Sequence, residues 1–309
     1  MKTIFIFLIL LIPSVSLCQW FIHDTVALDD YRPPDLDYVS GVALCAENVY
    51  AITWVHNPPG NSTPTVVEIF LTPDDGLTWK KVFDVSDYGL SVYGSQFITA
   101  DTGFSYFGYF MNTSLQKTTD GGKKWQYLNT PYKNLSFISG EKGYGMEGNV
   151  FIKYENDSLT IGDTIPDVQL PYVNFTKYKV GYCVSMVQTS GGLDYHKVLR
   201  TTDDGETWSF SLIDTLHSIK EICAPTESSC FISCDQGVLY KSTDTGYTWK
   251  QFSANGMTSI SHMTFVDELN GYIASNNQLF RTIDGGETWK EQTIPDRLKI
   301  LSIKMINDS

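Results

Sequence analysis

A β-propeller made of four-stranded antiparallel blades is the fold that the sequence predicts. Three observations support this all-β prediction. An eight-residue pattern recurs along the chain, its copies fit a repeat of about 42 residues, and each repeat has four β-prone segments. Four short strands in a unit of about 40 residues are typical of a propeller blade. Because the repeat extends over nearly all of residues 19–309, we expect one propeller domain there rather than two domains.

The recurring pattern combines a hydroxyl residue, an aspartate, a glycine and a tryptophan. Its five copies are TPDDGLTW (72–79), TTDGGKKW (118–125), TTDDGETW (201–208), STDTGYTW (242–249) and TIDGGETW (282–289). Successive aspartates are 46, 83, 41 and 40 residues apart, so a degenerate unit is expected at 154–159. Asp-Gly pairs between β-prone runs predict hairpin turns, because glycine accepts a positive φ and aspartate bonds its own backbone. We therefore expect structural roles for Asp74, Trp79, Asp120, Trp125, Asp203, Trp208, Asp244, Trp249, Asp284 and Trp289.

Two further segments complete each unit. A Gly-aromatic pair marks the second strand, as in Gly103-Phe104 and Gly271-Tyr272, and a Leu-x-Lys/Arg segment leads from the third strand into the turn. The pattern resembles the Asp-box, or bacterial neuraminidase repeat, of sialidases, sortilin-type receptors, xyloglucanases and photosystem II assembly factor-type propellers. It is most similar to the assembly factor type and its exported bacterial relatives. The resemblance implies a propeller and says little about function.

The two ends of the chain predict how the ring closes. Residues 19–23 are similar to the fourth strand of a unit, and residues 300–305 are similar to the first strand. A last blade shared by both ends would leave no open sheet edge. We therefore favour seven blades, the last of them shared and incomplete, and keep six blades as the alternative.

The N-terminus predicts export. Residues 1–18 combine Lys2, an apolar run and small residues near a cleavage site, which is typical of a secretory signal peptide. The apolar run is too short to span a bilayer, and no later stretch is long enough for a membrane helix. Lipid attachment at Cys18 is the alternative processing route. The mature chain is expected to be extracellular, periplasmic or at the cell surface.

Five cysteines follow the predicted signal peptide, an odd number that leaves at least one thiol unpaired. An exported chain can keep disulfides, and Cys223 and Cys230 flank a turn, within reach of a bridge across a hairpin; which cysteines pair is left open. Cys45 and Cys183 are expected to be small buried hydrophobic residues.

Composition and motifs exclude several classes of function. The chain has 22 basic and 35 acidic residues and a net charge of −13, so nucleic-acid binding, which depends on basic residues that neutralise phosphates, is not expected. A sialidase holds the carboxylate of its substrate with three arginines, but two of the four arginines here, Arg200 and Arg281, occupy repeat positions. The sequence contains no nucleophile, phosphate-loop or metal-ligand motif. We therefore expect no catalytic residue, no cofactor and no metal.

Binding is the function that remains, and we expect it on the face opposite the Asp-Gly turns. That face holds the loops between second and third strands and the connections between blades, and loops on a rigid scaffold carry function. Trp54 lies there, outside the recurring pattern. The candidate ligand-binding residues are Trp54, His56, Tyr31, Asp35, Asp37, Tyr88, Tyr132, Tyr172, Asp194, Tyr195 and His196.

These aromatic and acidic side chains suit a protein or carbohydrate ligand. An assembly-factor role transfers poorly, because factors of that type are expected to present a basic, arginine-rich patch. The sequence predicts a monomeric, exported, non-catalytic interaction scaffold. The alternative is a glycan-active enzyme, such as a glycoside hydrolase with two facing carboxylates.

Overall fold

The computed structural model describes a chain built almost entirely of β-strands. The described residues are 8–11, 38–46, 49–56, 65–72, 80–87, 90–99, 101–109, 112–128, 135–165, 172–176, 179–188, 194–212, 217–254, 256–293 and 302–305. They form six four-stranded antiparallel sheets, numbered I to VI in chain order, and one two-stranded parallel sheet. Within these ranges the one helix is a 3-10 turn, Asp235–Gly237, and no helix is long and apolar enough to cross a membrane.

Each sheet follows chain order from its first strand to its fourth. The strands of sheets I to III are β2 (Tyr38–Ala46), β3 (Val49–His56), β4 (Thr65–Thr72), β5 (Lys80–Asp87), β6 (Leu90–Phe97), β7 (Gly103–Tyr109), β8 (Asn112–Thr118), β9 (Gln126–Tyr127), β10 (Leu135–Phe137), β11 (Lys142–Glu147), β12 (Val150–Glu155) and β13 (Ser158–Thr164). Those of sheets IV to VI are β14 (Tyr172–Phe175), β15 (Gly181–Gln188), β16 (Asp194–Thr201), β17 (Ser209–Leu212), β18 (Ile219–Cys223), β19 (Cys230–Cys234), β20 (Val238–Ser242), β21 (Lys250–Ser253), β22 (Ile260–Phe265), β23 (Gly271–Ser275), β24 (Gln278–Thr282) and β25 (Lys290–Gln292). The remaining two are β1 (Leu8–Leu11) and β26 (Ser302–Met305).

The antiparallel order gives every sheet two distinct ends. Consecutive strands pair with each other, so connections alternate between the ends of a sheet. The first-to-second and third-to-fourth connections emerge at one end, which we call the turn face. The second-to-third loops and the connections between sheets emerge at the other end, which we call the loop face. The predicted degenerate unit is sheet III, whose third and fourth strands meet at a turn formed by Asn156 and Asp157, both at positive φ.

Successive sheets pack against each other through their faces, with their first strands in contact. Contacting first strands include β2 with β6, β14 with β18, and β18 with β22, and β26 contacts β22, the first strand of sheet VI. The buried clusters lie between sheets: one joins sheets II and III, and others join III with IV, IV with V, and V with VI. The core is therefore distributed around the series of sheets, one layer at each junction.

The Gly-aromatic pair of the sequence has a packing role. In sheet III, Gly143 lies opposite Phe137 in the neighbouring strand, and a Cβ atom on this glycine would lie 2.6 Å from that ring. The same pairs occur in three other sheets, as Gly103 with Phe97, Gly181 with Phe175 and Gly271 with Phe265. Glycine is required because the phenylalanine ring lies across the position that a side chain would fill.

The aromatic residue after the glycine joins one sheet to the next. Phe104 of sheet II stacks on Phe137 of sheet III, with ring centroids 3.6 Å apart. Equivalent stacks join Tyr144 to Phe175 at 3.9 Å and Phe231 to Phe265 at 3.6 Å. The repeat thus encodes contacts between sheets as well as the strands within them.

Sheet V departs from this pattern by a compensating exchange. Cys230 occupies the glycine position, and Ala224, the residue after Cys223 of the Cys223–Phe231 pair, stands where sheets II, III, IV and VI have phenylalanine. Both residues pack in one cluster with Tyr182 of sheet IV. A side chain is therefore accepted at this position because the large ring is absent.

The same register shows that the predicted disulfide between Cys223 and Cys230 is wrong, since both are free thiols. Cys223 pairs with Phe231 and packs on the side of sheet V that faces sheet VI, whereas Cys230 packs on the side that faces sheet IV. Successive side chains of a strand point to opposite faces of the sheet, which separates the two sulfurs. Cys183 is fully buried as predicted, and burial raises its pKa to about 12.

A single methyl group tests the glycine requirement. We expect Gly271→Ala to lower the free energy of unfolding by about 1–3 kcal/mol, because overpacking forces neighbours to shift and the new Cβ atom would lie 2.4 Å from the Phe265 ring. Chemical denaturation measures the difference. The matched control is Cys230→Ala, at the equivalent position that already carries a Cβ atom, with an expected loss of about 1 kcal/mol or less. Equal losses would contradict the requirement.

The C-terminal strand is present as predicted, in the form of β26, and it packs on the first strand of sheet VI. Its partner is β1, four residues of the predicted signal segment, in parallel pairing. The predicted N-terminal strand at residues 19–23 lies outside the described residues. Seven blades, or six, therefore stay predictions.

Candidate functional site

The candidate ligand-binding residues that the structure describes lie towards the loop face. They are Trp54 and His56 in β3, Tyr172 in β14, and Asp194, Tyr195 and His196 in β16. Tyr31, Asp35, Asp37, Tyr88 and Tyr132 lie outside the described residues. The sequence placed Trp54 and His56 in a loop, whereas they end a strand whose pairing continues to His56 opposite Val66. Asp194–His196 likewise extend a strand, because they pair with 186–188.

These residues belong to two separate sheets. Trp54 of sheet I lies opposite Val39 on one side and Glu68 on the other. His196 of sheet IV is half-buried opposite Met186, and Tyr172 begins the first strand of the same sheet. The structure thus brings Tyr172 and the 194–196 segment together in sheet IV, and no described contact joins them to Trp54.

The aspartates of the recurring pattern hold the turns on the other face. In sheet VI, the Thr282 hydroxyl donates to Asp284 Oδ1 at 2.8 Å and accepts from the Gly286 backbone N–H at 2.8 Å. Hydrogen bonds from the Thr288 hydroxyl and backbone lower the Asp284 pKa to about 2. Three other turns repeat this arrangement around Asp120, Asp203 and Asp244. Asp74 and Trp79 lie outside the described residues. These four carboxylates are committed to the turn backbone.

In sheets II to V, a basic residue of the third strand connects neighbouring sheets on the turn face. It lies directly opposite the aromatic residue of the Gly-aromatic pair, as Lys117 opposite Phe104 and Arg200 opposite Tyr182. Each then reaches the turn region of the next sheet: Lys117 Nζ to Asp157 at 2.6 Å, Lys153 Nζ to Asp204 at 2.8 Å, Arg200 to the Thr245 carbonyl at 3.4 Å and Lys241 Nζ to the Glu268 carbonyl at 2.9 Å. Arg200 therefore has a structural role in the repeat. Among the described residues, no cluster of arginines is available to bind a substrate carboxylate.

The junction of sheets III and IV adds a charged cluster around Asp204. This carboxylate, in a residue that is 8% exposed, accepts hydrogen bonds from the Tyr144 hydroxyl, from Lys153 Nζ at 2.8 Å and from Lys142 Nζ at 3.2 Å. Burial alone would raise the Asp204 pKa, but these donors outweigh it and lower the pKa. Asp204 stands where two other turns have glycine, at φ 67°. The aspartate at this glycine position is visible in the sequence. The sequence does not show that the lysines bound to Asp204 come from a different sheet.

Two further polar contacts near the first strands were not predicted. The Gln96 amide donates to the Phe137 carbonyl at 2.7 Å and accepts from the Phe137 N–H at 3.0 Å, bridging sheets II and III. Glu221 accepts from the Met263 N–H and bridges sheets V and VI. Equivalent positions in other repeats carry different residues, so periodicity gives no signal for them. In the described part of the chain, no group of three or more His, Cys, Asp or Glu side chains could hold a metal ion.

Comparison with known proteins supports one architecture. The DUF6242 beta propeller domain family matches residues 180–302. A structure described as YCF48 bound to D1 peptide is similar with a TM-score of 0.58 and 18% identity, covering 85% of this chain and 79% of its own. The fold is a β-propeller. YCF48 from Cyanidioschyzon merolae gives a TM-score of 0.55 and 15% identity, covering 80% of this propeller and 78% of its own chain. A search of curated proteins found no significant match.

Proposed function

We propose that this propeller is an exported, non-catalytic scaffold that binds a protein segment through its loop face. The observation that carries the proposal is the difference between the two ends of the sheets. On the turn face, the described aspartates and most third-strand basic residues are engaged in turns and sheet junctions. On the loop face, aromatic and imidazole residues stand at strand ends, namely Trp54, His56, Tyr195 and His196.

A protein segment is the ligand class that we favour. The similar YCF48 structure is described as bound to a peptide, which makes peptide recognition by such a propeller a reasonable starting point. Aromatic residues at the end of a rigid strand supply large contact area at small entropic cost. A carbohydrate ligand, and with it a glycan-active enzyme, is the competing proposal. The signal-like residues 1–18 support the proposal of export, with lipid attachment at Cys18 as the alternative route, and a monomer is the expected state.

A binding screen with a matched pair of variants tests this proposal. The full chain is screened against a displayed peptide library, a glycan array and a panel of chromogenic glycosides. We expect peptide hits, and we expect Trp54→Ala to weaken them by about tenfold or more, as hot-spot aromatic residues do. Tyr127→Ala is the control, because this exposed tyrosine lies on an outer strand away from the loop face.

Two results would contradict the proposal. If Trp54→Ala and Tyr195→Ala both leave peptide binding unchanged, the loop face is not the binding surface. Turnover of any glycoside above the blank would favour the enzyme instead. Circular dichroism of each variant separates lost binding from lost folding.

A further inference from the structure

The two-stranded sheet differs from sheets I to VI in the way its first strand is paired. β26 pairs with β1 along four residues, from Ser302 opposite Leu8 to Met305 opposite Leu11, and the two strands run parallel. In sheets I to VI the first strand pairs antiparallel with the strand that follows it in the chain. β1 instead comes from the opposite end of the chain. The repeat therefore does not encode β1 as the neighbour of β26.

β1 belongs to the segment that the proposed export would remove. Leu8–Leu11 lies within residues 1–18, the predicted signal peptide. Sheets I to VI contain no residue before Tyr38, so cleavage after residue 18 would leave all six sheets complete. Cleavage would remove the strand that the structure pairs with β26. The edge of β26 would then present unpaired backbone N–H and C=O groups, which are a template for another strand.

β26 has contacts with the propeller that do not involve β1. It packs on β22 and β23 of sheet VI, and the Ile303 side chain is buried. Its place beside β22 is that of a first strand, as β22 lies beside β18. The place next to β26 is therefore that of a second strand, on a support that is already formed. Binding to a preformed edge costs less ordering than binding to a mobile one.

Arg281 is a second and independent sign that this junction lacks a partner. It lies opposite Tyr272 in the third strand of sheet VI, at the position of the third-strand basic residues that connect sheets II to V with the next sheet. Its Nε is buried and has no hydrogen-bond partner. The contact described for its guanidinium is within its own sheet, 5.8 Å from the centre of the Tyr272 ring. Among the described residues, the next sheet gives Arg281 no acceptor.

The open edge and Arg281 lie towards the same end of the propeller. Met305 ends β26, and Arg281 is the next-to-last residue of β24. First and third strands both end at the turn face. Because β1 runs parallel to β26, a segment seated like β1 would continue beyond the position of Leu11 to the turn face. An acidic residue there would supply the acceptor that Arg281 lacks, since a guanidinium group binds a carboxylate strongly.

We propose that, after export, the edge of β26 binds an extended segment of a partner protein by β-strand addition. The segment has apolar residues at the positions of Leu8–Leu11 and an acidic residue after them, which binds Arg281. Backbone hydrogen bonds supply the affinity in this mode of recognition, and side chains supply the specificity. The inference rests on the proposed export, because residues 1–18 otherwise keep this place. It does not depend on the loop-face site.

Binding of a labelled peptide to two forms of the chain tests this site. The peptide has the sequence of residues 8–11, then two glycines and an aspartate amide, and carries a polyethylene glycol chain for solubility. We expect residues 19–309 to bind it at least about tenfold more tightly than the full chain does, because β1 competes from within the full chain. Circular dichroism of both forms verifies that residues 19–309 stay folded.

Methylated peptides test whether backbone pairing holds the segment. A strand in parallel pairing presents the N–H groups of alternate residues to its neighbour. Two peptides are therefore methylated on alternate backbone nitrogens of the apolar part, one in each register. One of them should bind residues 19–309 at least about tenfold more weakly than the parent peptide, and the other should bind within about threefold of it.

An exchange of charge tests the role of Arg281. Asparagine in place of the peptide's aspartate should weaken binding to residues 19–309 by about fivefold, because a charged acceptor is lost. Arg281→Gln should abolish the difference between the two peptides. Lys241→Gln is the matched control at the same position of sheet V, where the lysine already binds the Glu268 carbonyl, and it should preserve the difference.

Several results would overturn the proposal. Equal affinity of the two forms of the chain would do so, as would equal binding of both methylated peptides. A preference for aspartate that Arg281→Gln leaves intact would remove Arg281 from the site. Peptide binding that Trp54→Ala weakens would place this peptide on the loop face and overturn this proposal alone. N-terminal sequencing of the exported chain tests the shared premise, since retention of residues 8–11 would contradict the proposed processing and this site together.

Discussion

Replacing Phe137 with alanine should lower the free energy of unfolding by about 3–5 kcal/mol, the usual range for a large aromatic residue removed from a core. Phe137 is 3% exposed and stacks on Phe104 of sheet II at 3.6 Å between centroids. It also meets Tyr154 edge-on at 5.3 Å, within one buried cluster that joins sheets II and III. Because Gly143 opposite it has no side chain, nothing adjacent can fill the space that the ring leaves.

Chemical denaturation of the variant beside Tyr127→Ala measures this effect. Tyr127 is 58% exposed on β9, so its truncation should change the stability by about 0.5 kcal/mol or less. If the free energy of unfolding of Phe137→Ala differs from that of the wild type by less than about 1 kcal/mol, as for a typical surface substitution, the stabilising role of the stacks between sheets is contradicted.

Replacing Asp204 with asparagine should lower the free energy of unfolding by about 2–3 kcal/mol at neutral pH, less than for a fully buried ion pair. The substitution keeps the shape of the side chain but leaves Lys142 and Lys153 without the charge that they share. Their side chains are 33% and 18% exposed, so water compensates part of the loss. The control is Glu155→Gln, whose exposed carboxylate lies 3.4 Å from Lys142, with an expected loss of about 0.5 kcal/mol or less.

The pH dependence of the Asp204→Asn difference gives a second measurement. The folded pKa of Asp204 is lowered, because hydrogen bonds from Lys153, Tyr144 and Lys142 outweigh the opposing effect of burial. A lowered pKa stabilises the fold fully above the unfolded value of about 4 and loses that contribution as the pH falls through the folded value. The difference between wild type and variant should therefore shrink below about pH 4. A difference that stays constant from pH 7 to pH 2 would contradict this role.

Whether a feature could be predicted from the sequence depends on how far apart in the chain the residues that form it lie. The aspartate turns and the degenerate unit at 154–159 were predictable, because each is encoded by a few adjacent residues with fixed backbone demands. The Cys223–Cys230 bridge was predicted wrongly, since its geometry depends on the register of two strands. Trp54 was assigned to a loop because its pairing partners in β4 are distant from it in sequence.

The sequence by itself determined that this protein is an all-β propeller with turns at regular intervals. It could do so because the repeat restates the same local rules of turn and strand several times, and each restatement strengthens the inference. Only the tertiary structure decided how one repeat contacts the next. The stack of Phe104 on Phe137 and the lysines around Asp204 both join residues of different repeats. Packing between sheets, rather than local preference, brings those side chains together.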